Sequence, residues 1–345
     1  MNRWPRLTAP GRSADTQRPG RHRQARRPRL SFLRRPGRLT AAIAAGLAAA
    51  LLTVFAVNHP WHRAHEPAAF PGSDLPTAPG SYIGLYAQGA PASYAPVRAF
   101  TTATGVTPKI VVYYSGWPEP FRAGFAAAAA KEGAVPLVQL DPLRTSVAAI
   151  AAGRYDSYLS AYAKAVRAYG HPVILSFGHE MNGYWYSWGY THTSPSVFVA
   201  AWRHIVTLFR VVRAQDVTWL WTINTIHKQT GVPLPGPWWP GRSYVSWIGI
   251  DGYYLDSSSV FASVFGPTIA YVRALTRAPI LIAETSAAPA AGQPAKIADL
   301  FSGIHLYGLL GFVWFDTFDK EDWRLTDPSA IAAFRRGAET YPGAA

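Results

Sequence analysis

Short apolar runs recur at regular intervals from residue 82 to residue 315, and stretches with helical periodicity separate them. The runs are nearly continuous in Val, Ile, Leu and aromatic residues, which is typical of parallel strands covered on both faces. The eight predicted strands are residues 82–86, 109–114, 135–140, 172–177, 217–223, 245–250, 279–283 and 309–315.

Two of the intervening helices are marked by their ends. Apolar and aromatic residues recur at helical spacing from Tyr155 to Tyr169, and Gly170 supplies a stop. Ser194 followed by Pro195 predicts an N-cap and a first helical position for the next helix. Shorter helices are predicted over residues 267–276 and 294–302.

Eight strands that alternate with helices form either a closed barrel or an open doubly wound sheet. No Gly-x-Gly-x-x-Gly follows the first strand, so a dinucleotide-binding open sheet lacks its signature. We therefore predict an α/β fold, a (β/α)8 TIM barrel over residues 81–345, preceded by one transmembrane helix. Catalytic residues of such barrels lie where the strands end and the following loops begin.

The chain before the barrel has three segments of different composition. Residues 1–38 are basic, residues 39–57 are apolar and uncharged, and residues 58–80 hold five prolines. As a helix, residues 39–57 would reach about 28 Å, close to the roughly 30 Å hydrocarbon core of a bilayer. Arg34, Arg35 and Arg38 precede this segment, so the positive-inside rule places residues 1–38 in the cytoplasm and the barrel outside.

We interpret these segments as a basic cytoplasmic tail (1–38), a transmembrane signal anchor or signal peptide (39–57) and a Pro-rich linker (58–80). The predicted location is the cell membrane, with a single pass and the barrel outside the cell. Secretion after cleavage of a signal peptide is an alternative, and so is a buried core helix over residues 39–57.

The net charge of +14 suggests a nucleic-acid partner until its position is considered. Twelve Arg and a single acid, Asp15, lie within residues 1–38, and the remaining chain is nearly neutral, with 21 Lys and Arg against 18 Asp and Glu. We therefore expect a membrane contact through residues 39–57, no nucleic-acid partner and a monomer. The absence of Cys excludes disulfides, thiolate chemistry and Cys-based zinc sites.

Two glutamates stand at the ends of predicted strands, Glu180 after the fourth and Glu284 after the seventh. A structural salt bridge is the simpler interpretation of either one alone. As a pair they fit glycosidic bond cleavage, which needs an acid for the leaving oxygen and a second carboxylate for the oxocarbenium-like carbon. A carboxyl separation of about 5–5.5 Å allows direct attack with retention, and about 6.5–9.5 Å leaves room for water and inversion.

Metal chemistry is the rival interpretation of His179-Glu180. The zinc-protease pattern His-Glu-x-x-His requires a second His at position 183, which is Gly183. We predict no metal and no cofactor, because two carboxylates and water suffice for the reaction.

The stretch His179-Glu180-Met181-Asn182-Gly183, followed by Trp185, closely resembles the acid/base segment of glycoside hydrolase family 26. This is a family of retaining (β/α)8 enzymes that includes β-1,4-mannanases. The resemblance covers about residues 81–340 and continues, in family order, in residues 219–224, 245–253, 284–286, 314–316 and 320–324.

The resemblance implies that Glu180 is the acid/base and Glu284 the nucleophile. His179 would hold the acid/base region and approach the sugar where cleavage occurs, and Tyr253 would hydrogen-bond the nucleophile. Asn182 would shape the loop and contact the sugar. The Trp residues expected at the cleft, each with core packing as its alternative, are Trp185 and Trp314, which would stack on sugar rings, and Trp188, Trp238, Trp239 and Trp323.

The predicted function is a retaining endo-β-glycanase that acts outside the cell, with β-1,4-mannan as its first substrate. Mannan-active relatives tend to place a His near the end of the third strand, where this chain has Gln139-Leu140-Asp141-Pro142. Mixed-linkage glucan, xylan or an exopolysaccharide therefore remain alternative substrates. A transglycosylase and a sugar-binding barrel without turnover are alternative functions.

Overall fold

A computed structural model describes residues 74–226, 231–319 and 321–341. The predicted cytoplasmic tail (1–38), the membrane segment (39–57) and most of the linker (58–80) lie outside the described residues. Those three assignments stay predictions.

Eight parallel strands form a closed barrel in which every strand pairs with its neighbours in chain order, and the last pairs with the first. The prediction of a (β/α)8 barrel is confirmed, and every strand lies within two residues of its predicted bounds. The strands are β1 (Tyr82–Ala87), β2 (Ile110–Gly116), β3 (Val135–Asp141), β4 (Val173–Phe177), β5 (Val217–Asn224), β6 (Trp247–Asp251), β7 (Ile280–Thr285) and β8 (Gly311–Asp316).

Among the described residues an α-helix follows every strand except β5, and the helix predicted after Ser194 begins at Pro195. The helices are α1 (Ala95–Thr104), α2 (Ala123–Lys131), α3 (Val147–Ala151), α4 (Asp156–Tyr169), α5 (Pro195–Val212), α6 (Phe261–Val264), α7 (Gly266–Leu275), α8 (Gln293–Leu306) and α9 (Pro328–Glu339). The described part of the β5–β6 connection has only two 3-10 turns, Gly236–Trp238 and Arg242–Tyr244.

Each strand contributes alternate residues to two separate apolar layers, as the two-residue period of a strand requires. One layer fills the barrel interior and consists of Tyr82, Ile110, Val112, Leu137, Ile174, Leu220, Trp247, Leu281, Ala283, Leu310 and Val313. The other lies between the barrel and the helices. There Trp202 of α5 packs on Phe177 of β4 and on Trp219 of β5. Burial of a large apolar side chain contributes about 1.5–3 kcal/mol, so both layers stabilise the barrel.

Helix α5 is the one helix among the described residues that is long and apolar enough to span a membrane. Its buried residues include Phe198, Trp202 and Phe209, which belong to the layer between barrel and helices. The apolar character of α5 is therefore explained by packing on β4 and β5.

The interior of the barrel changes from apolar to polar towards the C-terminal ends of the strands. Two residues beyond the apolar positions Leu137, Ile174 and Leu220 lie Gln139, Ser176 and Thr222, all fully buried. Ser176 and Thr222 join β4 to β5 through a hydroxyl–hydroxyl hydrogen bond of 3.0 Å. This polar layer lies directly beneath the two predicted catalytic glutamates.

Candidate active site

Glu180 reaches the barrel mouth through a left-handed turn after β4. Gly178 has φ 55° and Glu180 has φ 53°. The turn is held on both sides, because the Gly178 amide donates to Leu140 of β3 and the Glu180 amide donates to Thr222 of β5, each at 3.0 Å. A left-handed residue other than Gly costs about 1–2 kcal/mol, so the fold tolerates strain at the residue that carries the carboxylate.

Glu284 reaches the same mouth through an irregularity in β7. Ile250 of β6 pairs with Ile282, but the next residue, Asp251, pairs with Glu284, so β7 has one extra residue at this point. Leu281 and Ala283 face the barrel interior, and strict alternation would send Glu284 to the helix side. The bulge redirects its side chain to the mouth, as bulges commonly do beside active sites.

Each oxygen of the Glu180 carboxylate accepts a side-chain N–H. Trp185 Nε1 donates to Oε2 at 2.7 Å, and Asn224 Nδ2 donates to Oε1. Asn224 is itself fixed by Asn182, whose amide donates to the Asn224 carbonyl at 3.0 Å and accepts from the Asn224 N–H at 2.9 Å. Residues of the loop after β4 and of β5 therefore jointly fix the position of the Glu180 carboxylate.

Each oxygen of the Glu284 carboxylate accepts a phenol. Tyr114 of β2 donates to Oε2, and Tyr253, just after β6, donates to Oε1. Trp323 covers the Tyr253 ring at a centroid distance of 4.7 Å. Two strands on either side of the barrel thus fix the position of Glu284.

His179 lies between these groups with both ring nitrogens engaged. Its Nδ1 is 2.8 Å from Asp141 Oδ1 and its Nε2 is 3.0 Å from the Tyr186 hydroxyl. Only 2% of His179 is exposed. The prediction that His179 holds the acid/base region fits this position. The prediction that it also approaches the sugar stays a prediction, and in this structure the Nε2 nitrogen is already bonded to Tyr186.

Burial and mutual charge set the protonation of the site. Burial, followed by the charge of Glu180, raises the pKa of Glu284 to about 7 against the opposing effect of His179. Burial also raises the pKa of Glu180, which the His179 charge and the hydrogen bonds from Asn224 and Trp185 oppose. Because two neighbouring carboxyls titrate as a unit, the pair holds one proton between them up to about pH 7.

Two further groups complete the electrostatics. Burial alone disfavours a charged His179, but Asp141, with Glu180 and Glu284, outweighs burial and raises the pKa of His179 to about 9. Burial and then the charges of Glu284 and Glu180 raise the pKa of Asp251 well above its usual value. Asp251 has no hydrogen-bond partner within the described part of the chain, so no donor there offsets the effect of burial on its pKa.

The structure corrects the predicted sugar-stacking role of Trp314. This side chain is fully buried in the layer between barrel and helices, where its ring packs on Phe334 of α9 at 5.8 Å. Val313 faces the barrel interior, so alternation along β8 turns Trp314 outward and Phe315 inward. Phe315 stacks on Tyr86 of β1 at 4.9 Å and takes the inward position expected of Trp314.

Trp188 and Asn182 also lie too deep to contact a sugar. Trp188 is fully buried, and its Nε1 donates to the His179 carbonyl at 2.7 Å. Asn182 is fully buried, with its amide on Asn224. Both support the loop, which is the alternative role open to each from the sequence.

Trp185 and Tyr253 are partly exposed, and Trp323 retains 7% exposure. Their position around the two carboxylates fits the predicted contact with substrate, which stays a prediction. Trp238 is buried, and Trp239 packs on Trp221 at 5.1 Å.

Three contacts were not found from the sequence: Tyr114 on Glu284, Asn224 on Glu180 and the Asp141–His179–Tyr186 line. The alternation along β2 contains a signal for Tyr114, since Val112 is an interior position. Among the described residues, no group of three or more His, Cys, Asp or Glu side chains is arranged to hold a metal ion.

Comparison with known proteins agrees with the (β/α)8 barrel fold. The model of glycosyl hydrolase family 26 matches residues 143–334. The chain belongs to glycosyl hydrolase family 26.

Endoglucanase H of Acetivibrio thermocellus is 29% identical over 273 residues, which cover 74% of this chain and 30% of that protein. A mannan endo-1,4-beta-mannosidase of Bifidobacterium adolescentis is 28% identical over 99 residues, which cover 28% of this chain and 10% of that protein. The chain thus spans less than a third of the length of either relative. Among solved structures, a modular endo-beta-1,4-mannanase from Cellulomonas fimi superposes with a TM-score of 0.62 at 15% identity, over 80% of this chain and 76% of that one, and this likeness shows the fold.

Proposed function

We propose that this chain is a retaining endo-β-glycanase with Glu180 as acid/base and Glu284 as nucleophile. The observation that carries the proposal is the pair of glutamates that β4 and β7 bring to one site, where side-chain donors fix all four carboxylate oxygens. Burial raises the pKa of both, and the charge of Glu180 raises the pKa of Glu284 further. Membership of family 26 supports the same pair, because Glu180 and Glu284 both lie within residues 143–334, which the family model matches.

In the first step Glu180 gives its proton to the glycosidic oxygen while Glu284 attacks the anomeric carbon, which forms a glycosyl-enzyme ester. In the second step the Glu180 carboxylate removes a proton from water, and the water attacks the same carbon and releases Glu284. Tyr114 and Tyr253 hold the Glu284 oxygens during attack. The single proton shared by the pair is the one that the first step consumes.

The charge around the pair favours a neutral sugar. Asp141, Glu180 and Glu284 are acidic, and His179 is a cation that hydrogen-bonds to Asp141 and whose charge lowers the pKa of Glu180 and Glu284. A uronic acid carboxylate placed between the glutamates would add a like charge in a buried pocket, which is costly. We therefore propose a neutral β-linked polysaccharide as substrate.

Among neutral polymers we propose β-1,4-mannan first, on the resemblance of the acid/base motif and of the fold to mannanases. Mixed-linkage β-glucan is the second candidate, and a specific observation favours it. The likeness to Endoglucanase H covers 74% of the chain, whereas the likeness to a mannan endo-1,4-beta-mannosidase covers 28%. The end of β3 also carries Asp141, bound to His179, in place of the His expected for mannan.

We also propose that the barrel acts outside the cell and that residues 39–57 hold it at the membrane. The apolar segment, its Arg flank and the Pro-rich linker support this. Protease added to intact cells should digest the barrel. Protection in intact cells with digestion only after lysis would contradict the proposal.

The full chain should be incubated with mannan, glucomannan, mixed-linkage glucan and xylan beside a Glu284→Ala control, with reducing ends and viscosity followed together. Cleavage of one polymer with an early fall in viscosity, lost in the control, identifies an endo-glycanase and its substrate class. Retention predicts that the first product has the β configuration, which proton NMR of the anomeric signal detects. Binding of a polymer without cleavage would instead indicate a sugar-binding barrel.

A further inference from the structure

A line of three hydrogen-bonded side chains, the first two of them buried, leads from β3 to the loop after β4. Asp141 is 1% exposed and His179 is 2% exposed, and 2.8 Å separates their bonded atoms. The line ends at the Tyr186 hydroxyl, 3.0 Å from His179 Nε2. The Tyr186 ring lies flat on Trp188, with a centroid distance of 4.4 Å and an interplanar angle of 9°. The stack and the hydrogen bond together fix the hydroxyl.

The direction of the hydrogen bonds follows from the charge of His179. Asp141 raises the pKa of His179 to about 9 although burial opposes it, so the imidazole carries a proton on each nitrogen at neutral pH. Nε2–H then donates to the Tyr186 oxygen. A phenol oxygen that accepts from a cation is polarised, and its own O–H becomes a stronger donor.

Tyr186 is linked to the predicted catalytic pair through charge and through Trp185. Burial, and after it the charges of Glu180 and Glu284, raises the pKa of Tyr186 well above its usual value. The ring also packs edge-on against Trp185 at 6.3 Å, and Trp185 donates to Glu180. Tyr186 is partly exposed, whereas His179 behind it is buried. Of the two, Tyr186 is the one that a ligand can contact.

We propose that Asp141, His179 and Tyr186 form a relay that presents the Tyr186 hydroxyl as a hydrogen-bond donor to an oxygen of the sugar bound between Glu180 and Glu284. Tyr186 then makes the polar contact that the sequence assigned to His179, and His179 is a positioning residue. The inference rests on the proposed function and adds a specificity-determining residue to its site.

Tyr186→Phe is the direct test, because Phe keeps the ring on Trp188 and removes the hydroxyl alone. Loss of one charge-assisted donor should lower kcat/KM on the cleaved polymer by about 10- to 100-fold. Tyr190→Phe, the same change four residues further along the loop, is the matched control and should leave kcat/KM unchanged. In a Glu284→Ala background, Tyr186→Phe should weaken oligosaccharide binding measured by calorimetry.

The relay itself is tested by a double-mutant cycle with His179→Gln. Because Tyr186 acts together with His179, the kcat/KM of the double variant should be little lower than that of His179→Gln alone. Side-chain 15N NMR of His179 gives a readout that needs no turnover and should show both nitrogens protonated at pH 7. Asp141→Asn should shift that imidazole towards its neutral form.

The relay would be overturned if the wild-type chain cleaves a polymer and the kcat/KM of Tyr186→Phe stays within about threefold of the wild-type value. That result would leave the proposed function standing. Additive losses in the cycle, or a neutral His179 at pH 7, would also overturn the relay. A folded chain that neither binds nor cleaves any glycan would overturn both.

Discussion

Glu180 and Glu284 face one cleft, but different irregularities of the backbone, one after β4 and one within β7, place them there. After β4 the chain turns through Gly178 and Glu180 in left-handed conformations, whereas β7 carries one extra residue before Glu284. A regular strand places side chains on alternate faces and builds the two apolar layers of the barrel. Both glutamates reach the mouth where this regularity is broken. In this barrel the two-residue alternation of strand side chains builds the apolar layers, and interruptions of that alternation position the two glutamates of the candidate active site.

The partners of the two carboxylates differ in chemistry as well. Glu180 accepts from an indole N–H and an amide, and Glu284 accepts from two phenols. An indole nitrogen and an amide nitrogen can donate but cannot accept, so both donors favour the charged form of Glu180 and oppose the effect of burial on its pKa. A phenol can donate and accept, so Tyr114 and Tyr253 can stay bonded to Glu284 as it changes from carboxylate to ester.

The largest expected effect distinguishes the roles of the two glutamates, because only the loss of Glu180 should depend on the leaving group of the substrate. Glu284→Ala should lose about 10⁴-fold or more in kcat on a polymer and on an activated aryl glycoside alike, because no covalent intermediate forms. Glu180→Ala should lose about 10²–10⁴-fold on the polymer and far less in the glycosylation of an aryl glycoside whose leaving group needs no acid. Equal losses for Glu180→Ala on both substrates would contradict the assignment.

Much of this comparison could be predicted from the sequence because its signals are local. Continuous apolar runs place all eight strands, and Glu180 and Glu284 follow two of those runs directly. Of the partners, Tyr253 was expected from the family resemblance, whereas Tyr114 and Asn224 could not be found from such local signals. Tyr114 and Tyr253 meet on Glu284 only because the barrel closes and brings β2 and β6 to the same pocket.

The wrong prediction for Trp314 has a physical cause, which is the face of the strand that carries it. Trp314 follows the interior position Val313, so it points to the helices, and alternation alone could have excluded it. The same alternation would have excluded Glu284, because Ala283 is interior. Only the bulge between Ile282 and Thr285 restores Glu284 to the mouth. An apolar run carries no signal for such a bulge.

The next effect concerns folding stability at Glu284. Its folded pKa of about 7 lies above the ordinary value of 4.5, so the buried carboxylate destabilises the fold progressively as pH rises from 4.5 through 7. The Glu284→Gln substitution should therefore raise the free energy of unfolding relative to the unsubstituted chain, and this gain should be about 3 kcal/mol larger at pH 8 than at pH 4.5. Denaturant titrations at both pH values measure this. Glu339→Gln, an exposed carboxyl on α9, is the control, and an equal gain there would contradict a burial effect.

A smaller effect is expected in the pH dependence of catalysis. The pair keeps one proton up to about pH 7 and loses it above, and the acid step needs that proton. The kcat/KM value on the polymer should thus fall with rising pH, by about tenfold per unit once the proton is lost. On the activated aryl glycoside this basic limb should be much weaker. A polymer rate that stays constant from pH 6 to pH 9 would break the link between the shared proton and catalysis.

The smallest expected effect is a difference in folding stability that compares the backbone conformations at positions 180 and 284. At position 180 the left-handed conformation favours Gly, so Glu180→Gly should be more stable than Glu180→Ala by about 1 kcal/mol. At position 284, within β7, no left-handed residue is needed, and Glu284→Gly should be less stable than Glu284→Ala by about 0.5–1 kcal/mol. Each pair removes the same carboxylate, so its loss cancels and only the backbone differs. Opposite signs in unfolding titrations of the four variants would confirm that a strained turn delivers one glutamate and an extended strand the other, whereas the same sign at both positions would show that the turn after β4 is not strained.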